Sequence, residues 1–214
     1  MSEPRLTSAM LLRGYANGIF PMAEHRDDPD LFWVDPRHRG IIPLGGFHVS
    51  RSLARRMKSG VFTATADTAF AHVLQACADR DETWINPTLF DLYLDLAETG
   101  QAHSVEVWQD GALAGGVFGV RLGGAFFGES MFSARTDASK AALAWLVDAL
   151  MRRRFHLFDV QFLTAHLATL GAVEIPRSEY QALLREALPI PAEFPRPGPM
   201  DNAQAVVQRM TQTS

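Results

Sequence analysis

The polar residues best suited to chemistry lie in two short apolar segments. In the segment Phe158–Phe162, Asp159 and Gln161 are two residues apart, so a strand places both side chains on one face. Glu129 lies in the second segment, Phe127–Ser133. Such side chains can orient a reacting group and take part in its proton transfer. A structural alternative stays open, because Asp159 and Gln161 could satisfy each other within a sheet and Glu129 could bind backbone donors in a hairpin.

Several common catalytic signatures are missing from the sequence. It contains no GxGxxG after a predicted strand, no GxxxxGK followed by Ser or Thr, no HExxH and no GxSxG. The histidines are scattered without metal-ligand spacing, and a single cysteine, Cys77, excludes an internal disulfide and a Cys-rich zinc site. We therefore expect no metal centre, and we expect Cys77 to be a buried, unreactive thiol.

Charge is unevenly distributed along the chain. The 214 residues carry a formal net charge of −4, which argues against a general nucleic-acid-binding protein. Between Pro36 and Ala66, however, there is no acidic residue. This stretch contains six basic residues, which are Arg37, Arg39, Arg51, Arg55, Arg56 and Lys58. On a predicted helix, Arg51, Arg55 and Lys58 share one face, which either contacts phosphates or is an ordinary solvated surface.

Hydrophobic periodicity and capping residues predict the elements around these residues. The first half of the chain is predicted to contain four helices, one regular strand and an irregular region with short strands at Gly18–Pro43. The helices are expected at Arg5–Asn17, at Arg51–Ser59 with Ser50 as N-cap, from an N-cap at Asp67 to Ala78, and at Pro87–Gly100, and the strand is expected at Val61–Ala66.

From His103 onward the pattern changes to strands joined by the hairpin dipeptides Asp110-Gly111 and Gly123-Gly124. Three strands are followed by helix, strand, short helix, strand and helix. The predicted ranges are Ser104–Gln109, Leu113–Arg121, Ala125–Phe132, Asp137–Met151, His156–Gln161, a short helix ending at Leu170, Val173–Ile175 and Arg177–Ala187. An antiparallel meander with this continuation is typical of N-acetyltransferase-type acyltransferases.

We therefore predict an α+β fold with an N-acetyltransferase-like (GNAT-type) core. Residues 61–190 are expected to form this catalytic domain, residues 1–60 a smaller mixed N-terminal lobe, and the proline-rich residues 191–214 a loosely wrapped tail. No apolar run approaches the roughly 20 residues of a membrane span, and the N-terminus lacks the apolar region of a signal peptide. The sequence thus predicts a cytoplasmic protein without membrane contact.

The predicted fold raises the question of the acyl donor. Acyl-CoA enzymes of this type hold the pyrophosphate in a glycine-rich loop before the helix that follows the meander. Here the junction Ser133–Lys140 contains no glycine, and Asp137 stands near the start of the helix. We therefore expect the acyl group to arrive on a carrier other than CoA.

Six motifs, in order along the chain, carry a resemblance to a known family. They are Gly14–Pro21 (GYANGIFP), Phe32–Arg37 (FWVDPR), Thr83–Ile85 (TWI), Phe127–Ser133 (FGESMFS), Phe158–Phe162 (FDVQF) and Ala172–Arg177 (AVEIPR). From about Leu6 to Tyr180 the chain resembles the leucyl/phenylalanyl-tRNA–protein transferase family. It departs from the family's pattern at Met22, Val117 and Val160, where tryptophan, methionine and cysteine are common, and it lacks a Gly-Gly-Asp-rich stretch before the first helix.

The resemblance implies an activity and its substrates. Such enzymes transfer Leu, Phe or Met from aminoacyl-tRNA to an N-terminal Arg or Lys of a protein. The new peptide bond marks that protein for degradation through the N-end rule pathway. Because an aminoacyl ester is already activated, the reaction requires no cofactor, metal or covalent nucleophile. A monomer is expected.

The resemblance also implies roles for individual residues. Asp159, Gln161 and Glu129 fall at catalytic positions, where Gln161 would accept a hydrogen bond from the attacking amine and Asp159 would polarise or orient its amide. Trp33 and Trp84 match the aromatic residues that hold the terminal adenosine. The side chain of the transferred amino acid is expected against Val117, Phe126, Leu143 and Leu146. The tRNA body is expected on Arg37, Arg39, Arg51, Arg55 and Lys58.

Two other functions stay open on the sequence. The chain could be a non-catalytic RNA-binding module that uses its basic stretch and its tryptophans on a single-stranded CCA end, which needs neither Asp159 nor Gln161. It could also be an aminoacyl-tRNA-dependent transferase that acts on a peptidoglycan precursor and shares the fold. The tryptophans and the apolar residues could instead be ordinary core residues.

Overall fold

A computed structural model describes residues 6–212 of the protein. The expected first residue of the first helix, Arg5, lies outside this range. The strands are β1 (Phe20–Met22), β2 (Phe32–Val34), β3 (His38–Ile41), β4 (Thr63–Ala66), β5 (Ala102–Gln109), β6 (Ala112–Leu122), β7 (Ala125–Ser133), β8 (Leu157–Gln161), β9 (Val173–Pro176) and β10 (Gly198–Pro199). The α-helices are α1 (Ser8–Ala16), α2 (Arg51–Lys58), α3 (Phe70–Ala78), α4 (Pro87–Glu98), α5 (Ala138–Arg152), α6 (Ala165–Ala168), α7 (Arg177–Ala187) and α8 (Ala203–Gln212). None of these helices is long and apolar enough to cross a membrane.

Strands β5, β6 and β7 form the antiparallel meander that the sequence predicts. The turn between β5 and β6 is formed by Asp110 and Gly111, whose φ angles are 52° and 76°. A two-residue hairpin loop of type I′ requires positive φ angles at both residues. Helix α5 then returns the chain to β8, which pairs with β7 in parallel. The expected mixed α+β architecture is therefore confirmed.

The strand β8 lies in the interior of an eight-stranded sheet with the order β10-β4-β5-β6-β7-β8-β3-β9. On the side away from β7 it pairs with β3, and Gly40 lies opposite Gln161. A Cβ atom at Gly40 would collide with the backbone of Phe162 and Leu163, so glycine is required where β3 passes the end of β8. Strand β3 belongs to the first 60 residues, so the predicted N-terminal lobe contributes one strand to the main sheet, while its strands β1 and β2 form a separate two-stranded sheet.

The sheet separates two apolar clusters. Successive residues of β7 point to opposite faces, so Phe126 packs in the cluster that contains Trp145 of α5. Phe127 packs in the other cluster, which contains Tyr15 of α1 and Tyr93 of α4. Helices therefore cover both faces of the sheet around the end of β7, and two of them bring tyrosine hydroxyl groups to this point.

The prediction of a loosely wrapped C-terminal tail is wrong for its described part, residues 191–212. Strand β10 pairs with β4 and extends the sheet, and α8 packs against α2 and α5. The backbone oxygen of Asp201 accepts a hydrogen bond from Trp145 Nε1 over 2.8 Å, and Arg209 forms ion pairs with Asp148 and Asp201. The prolines before residue 200 masked the helical spacing of the apolar residues that follow them, which are buried in the core.

The expected N-cap of α3 is also wrong. Asp67 has a φ angle of 52°, and α3 begins only at Phe70, without a side-chain cap. The Asp67 carboxylate instead accepts a hydrogen bond from the backbone N–H of Ser104 over 2.7 Å and lies 2.8 Å from His103 Nδ1. It therefore joins the end of β4 to β5, a partner that a local capping pattern does not reveal.

Candidate functional site

A cavity of about 720 Å³ opens where two neighbouring strands separate. Strands β7 and β8 are paired up to Phe127 and Asp159, and the residues that follow in each strand line the cavity. Glu129 of β7 and Gln161 of β8 lie at this point of separation, and both are largely buried. The fold thus brings together two of the polar residues that the sequence singles out.

The Glu129 carboxylate accepts three hydrogen bonds from buried donors. Tyr15 donates its hydroxyl to Oε1 and Tyr93 donates its hydroxyl to Oε2, each over 2.8 Å. The Gln161 Nε2 atom donates to Oε1 over 3.0 Å. Because the donors come from α1, α4 and β8, Glu129 is the point at which three separate elements meet.

Burial decides the ionisation of this cluster. It raises the pKa of Glu129 to about 7, although the hydrogen bonds from Tyr15 and Tyr93 act in the opposite direction. Burial and the nearby carboxylate also raise the pKa of Tyr15 and of Tyr93 well above the ordinary tyrosine value. Both hydroxyl groups therefore stay protonated and donate at neutral pH, whereas Glu129 changes its charge near pH 7.

The orientation of the Gln161 side chain follows from its neighbours. An ionised carboxylate only accepts hydrogen bonds, so Glu129 selects the NH₂ end of the Gln161 amide. Among the described residues no group donates a hydrogen bond to the other end, Gln161 Oε1, and Gln161 lines the cavity. The arrangement leaves an amide carbonyl oxygen ready to accept a hydrogen bond from a molecule in the cavity.

Asp159 does not have the role that was expected of it. Its carboxylate is 0% exposed and accepts hydrogen bonds from Arg39, from the Tyr180 hydroxyl over 2.7 Å and from the backbone N–H of Gln161 over 2.8 Å. The Asp159 carboxylate makes no hydrogen bond to the side-chain amide of Gln161. The prediction that Asp159 orients this amide is therefore wrong, because Glu129 does so and Asp159 holds the backbone instead.

Arg39 likewise departs from its predicted position on a tRNA-binding surface. Its side chain is 1% exposed, and from β3 it forms an ion pair with Asp159 of the neighbouring strand β8 over 2.7 Å. A guanidinium group buried in this way cannot reach a phosphate of a bound tRNA. Arg37, two residues earlier in the chain, is exposed. The local density of positive charge does not distinguish these two arginines.

The two candidate tryptophans are not brought together at the cavity. Trp84 lines it and contacts Tyr93 edge to face, with ring centroids 6.2 Å apart. Trp33 lies on β2, is 41% exposed and does not line the cavity. Its ring packs against Gly14, where a Cβ atom would collide with it.

The predicted apolar pocket is only half observed. Val117 and Leu143 line the cavity. Phe126 and Leu146 do not line it; they are buried in the core cluster around α5, so their assignment to the pocket is wrong. Strand and helix periodicity place all four residues towards the same side of the sheet, but only the separation of β7 and β8 decides which of them border empty space. Further apolar walls come from Met131, Phe158 and Phe162.

Sequence reasoning missed three polar residues around the site, Tyr15, Tyr93 and Tyr180, and it did not reveal that Arg39 is buried. Tyr15 lies within the quoted motif Gly14–Pro21, and Tyr93 lies on the apolar face of a predicted helix. A buried tyrosine hydroxyl usually finds a hydrogen-bond partner, and this was the available signal. The identity of the partner could not be derived, because it depends on contacts between distant segments.

A separate basic surface lies on α2. Ser50 caps this helix as predicted, through a hydrogen bond from Leu53 N, and Leu53 and Met57 are buried. The opposite face exposes Arg51, Arg55 and Lys58, which border a shallow depression. Among the described residues, none of these three side chains forms a salt bridge, and no group of three or more His, Cys, Asp or Glu residues could hold a metal ion.

Comparison with known proteins gives matches over nearly the whole chain. Residues 41–185 match the family model of leucyl/phenylalanyl-tRNA protein transferase, and residues 5–37 match the model of its N-terminal domain. A Cereibacter sphaeroides protein named leucyl/phenylalanyl-tRNA–protein transferase is 61% identical over 214 residues, 100% of both chains. A protein of the same name from Ruegeria pomeroyi is 62% identical over 209 residues, 98% of this chain and 99% of the other.

A solved structure shares the fold at low sequence identity. The crystal structure of FemX superposes with a TM-score of 0.51 and 12% identity, over 81% of this chain and 70% of the other. At this level of identity the similarity concerns the fold alone. The sequence matches, in contrast, include both strands that form the cavity and the helices that supply its tyrosines. The chain belongs to the leucyl/phenylalanyl-tRNA–protein transferase family.

Proposed function

We propose that this protein transfers Leu, Phe or Met from aminoacyl-tRNA to the N-terminal Arg or Lys of a protein, which marks the acceptor for degradation through the N-end rule pathway. As a member of its family the chain is an aminoacyltransferase that uses aminoacyl-tRNA and a protein acceptor. The three amino acids and the basic N-terminal residue are part of the proposal. The observation that supports it best is the buried pair of Glu129 and Gln161 at the floor of a partly apolar cavity.

The proposed reaction exchanges an ester for an amide. The α-amine of the acceptor attacks the ester carbonyl carbon, a C–N bond forms, and the C–O bond to the terminal ribose breaks. The amine loses one proton and the ribose oxygen gains one, so the step is balanced without a cofactor. The protein has to align the amine and the ester and to stabilise the polar transition state.

Gln161 is the residue proposed to contact the reacting amine. Its Oε1 atom accepts a hydrogen bond from the amine and orients the nitrogen lone pair towards the ester. A neutral amide is a poor base, so Gln161 positions the amine and does not itself remove the proton. Glu129 keeps the amide in the required orientation, and the saturated carboxylate of Asp159 has no place left for a proton donor from the substrate.

The cavity walls suggest how the donor is bound. Val117, Leu143 and Phe158 give an apolar wall suited to the side chains of Leu, Phe and Met, and they offer no group for a charged side chain. Trp84 borders the same cavity and supplies a flat ring for the terminal adenosine, because a nucleobase stacks well on an aromatic side chain. Trp33 lies outside the cavity and is not part of this proposed adenosine site.

The basic face of α2 is proposed to contact the body of the tRNA. Arg51, Arg55 and Lys58 are exposed and carry three positive charges on a protein with a net charge of −4. Arg37 is exposed as well and follows the hairpin β1-β2. Contacts of this kind recognise shape and charge and not base sequence, which suits an enzyme that accepts tRNAs for different amino acids.

We propose that the enzyme acts as a monomer in the cytoplasm.

A transfer assay tests the proposal and its alternatives. The protein is mixed with phenylalanyl-tRNA and a peptide that starts with Arg, and the product is identified by mass. A peptide that starts with Glu, a peptidoglycan precursor and acetyl-CoA serve as alternative substrates. We expect one added Phe on the Arg peptide and no transfer to the other acceptors or from acetyl-CoA.

Other outcomes of this assay contradict the proposal in different ways. Binding of phenylalanyl-tRNA without transfer to any acceptor supports the RNA-binding module. Transfer to the peptidoglycan precursor and not to the peptide supports the second alternative. Transfer from acetyl-CoA contradicts the assigned donor.

A further inference from the structure

We propose that Arg39 is a positioning residue of the transfer reaction, which clamps the Asp159 carboxylate and thereby fixes the backbone turn that directs the Gln161 amide to Glu129. This inference rests on the proposed role of Gln161. It gives a function to the buried guanidinium of Arg39, which is not part of the exposed basic surface of the protein.

The clamp consists of several hydrogen bonds between two buried charged groups. Arg39 Nε donates to Asp159 Oδ1 over 2.9 Å and lies 3.1 Å from Oδ2, and Arg39 Nη2 donates to Oδ2 over 2.7 Å. Both side chains are almost fully inaccessible to solvent. A two-point contact between a guanidinium and a carboxylate fixes the direction of both groups, which a single hydrogen bond does not do.

Aromatic rings and a tyrosine hydroxyl complete the surroundings of this clamp. The Cζ atom of Arg39 lies 4.5 Å from the ring centroid of Phe20 and 4.6 Å from that of Tyr180. The Tyr180 hydroxyl donates to the same Asp159 oxygen as Arg39 Nη2. Burial raises the pKa of Tyr180, so this hydroxyl remains a donor. The guanidinium therefore cannot move without disturbing α7 and β1.

The clamped carboxylate acts on the backbone of Gln161. Its Oδ1 atom accepts the Gln161 N–H over 2.8 Å, and Gln161 has a φ angle of 59°. A residue with a side chain adopts this conformation only where its surroundings impose it. The turn ends the strand and points the amide of Gln161 to Glu129. If the carboxylate rotates, the hydrogen bond that imposes the turn is lost.

The same guanidinium reaches a second part of the site. Arg39 Nη1 donates to the backbone oxygen of Gly18 over 3.0 Å, just after α1. Helix α1 carries Tyr15, which donates to Glu129. Arg39 thus connects both sides of the hydrogen bond between Gln161 and Glu129, through Asp159 on one side and through the end of α1 on the other.

Arg39→Lys is the first test, because lysine keeps the buried positive charge but cannot make the two-point contact. We expect the single-turnover rate to fall about 10- to 100-fold, the scale of a small misplacement of reacting groups, with the KM for charged tRNA within about two-fold of the parent value. In a Gln161→Ala background, which has no amide left to position, the same change should lower the remaining rate by less than about two-fold. Equal losses in both backgrounds would overturn the inference, because a merely structural role does not depend on the Gln161 amide.

Tyr180→Phe carries the same test if Arg39→Lys does not fold. It removes one hydrogen bond to Asp159 and keeps the ring beside Arg39, and its loss of rate should also vanish in the Gln161→Ala background. Arg121→Lys is the matched control, since Arg121 donates to Ala192 O and Gly100 O away from the cavity. It should lower the melting temperature without changing the single-turnover rate.

The failure of the inference differs from failure of the proposed function. If Gln161→Ala alone leaves the rate unchanged, the proposed role of Gln161 is wrong. If Gln161→Ala is slow but folded Arg39→Lys and Tyr180→Phe have parental rates, the role of Gln161 stands and Arg39 is not a positioning residue.

Discussion

Gln161 Nε2 and Glu129 Oε1 are 3.0 Å apart, and their hydrogen bond bridges β7 and β8 beyond the last residues that these strands pair through their backbones. The separation of the strands creates the cavity, and the bridge places a polar group at its floor. An amide held at one end by a buried carboxylate has one free acceptor atom, and Gln161 lines the cavity in which the substrates are proposed to meet.

Removal of the Gln161 amide should affect chemistry and not binding. We expect Gln161→Ala to lower the single-turnover rate on an Arg-starting peptide by about 100-fold or more, the scale for groups that assist proton transfer. The affinity for charged tRNA should change little, because the amide is assigned to the acceptor amine. Rapid-quench measurement of peptide product, with tRNA binding measured separately, checks both statements. A folded variant with a near-parental rate would remove Gln161 from the reaction.

The ionisation of Glu129 should appear in the pH profile. Only the ionised carboxylate accepts from all three donors, and its pKa is raised to about 7, so the rate should fall as the pH drops through this value. The acceptor amine, with a pKa of about 8, adds a second protonation in the same direction. At subsaturating peptide, a plot of the logarithm of the rate against pH should therefore approach a slope of two below pH 7. Glu129→Gln should retain only the slope of one that belongs to the amine.

Tyr15→Phe provides the matched control for this profile. It removes a donor that lowers the pKa of Glu129, so the midpoint assigned to Glu129 should move to higher pH. If the midpoint is unchanged in Tyr15→Phe, or if Glu129→Gln keeps a slope of two, the fall in rate at low pH belongs to a group other than Glu129.

The two tryptophans should differ in their effect on the donor. Trp84→Ala should weaken the use of charged tRNA by about 1–3 kcal/mol, the usual contribution of a stacked base, and Trp84→Phe should restore part of it. Trp33→Ala should have a smaller effect, because Trp33 lies outside the cavity. The measurement is kcat/KM for phenylalanyl-tRNA, with melting temperatures as a check on folding. A larger loss at Trp33 would place the adenosine on β2.

Neutralising the basic face of α2 should reduce the salt dependence of tRNA use. Replacing Arg51, Arg55 and Lys58 by Gln should raise the KM for charged tRNA and flatten its logarithmic dependence on salt by a slope of about 2–3, since each lost phosphate contact contributes roughly 0.7–0.9. An aminoacyl-adenosine, which has no tRNA body, should be used almost as well as before.

A variant with changes on another surface controls for net charge. Arg153 and Arg154 are exposed beyond the end of α5. Their replacement by Gln should leave the salt dependence close to that of the parent protein. Equal effects in the two variants would show that the charge of the whole protein, and not α2, attracts the tRNA. If the α2 variant loses as much activity with aminoacyl-adenosine as with charged tRNA, the role of α2 is to support the fold of the site.

Much of the fold was predictable because its signals are local. The third strand of the meander was expected at Ala125–Phe132 and is found at Ala125–Ser133, and the last predicted helix, Arg177–Ala187, has the same bounds in the structure. Alternating apolar residues, turn dipeptides and caps carry this information within about ten residues. The C-terminal helix was missed because nearby prolines dominated the composition.

The site was predictable in its members but not in its connections. Glu129 and Gln161 stand out as polar residues in apolar strands, yet the hydrogen bond between them depends on where β7 and β8 separate. Charge patterning grouped Arg39 with surface arginines, since nothing in the neighbouring residues reports that its carboxylate partner lies on another strand. Burial is a property of the assembled sheet.

The contacts that hold the site together join segments far apart in the chain. Tyr15 and Glu129 are 114 residues apart, and Arg39 and Asp159 are 120 residues apart. Each of these contacts requires the closure of a large loop, so it depends on the assembly of the whole sheet and not on local structure. A partly folded chain, with its meander formed but without α1 and β3, therefore has no oriented Gln161. Activity in denaturant should therefore be lost as soon as α1 or β3 detaches, whether or not the meander remains, which makes the transfer reaction itself a report on whether the whole sheet is complete.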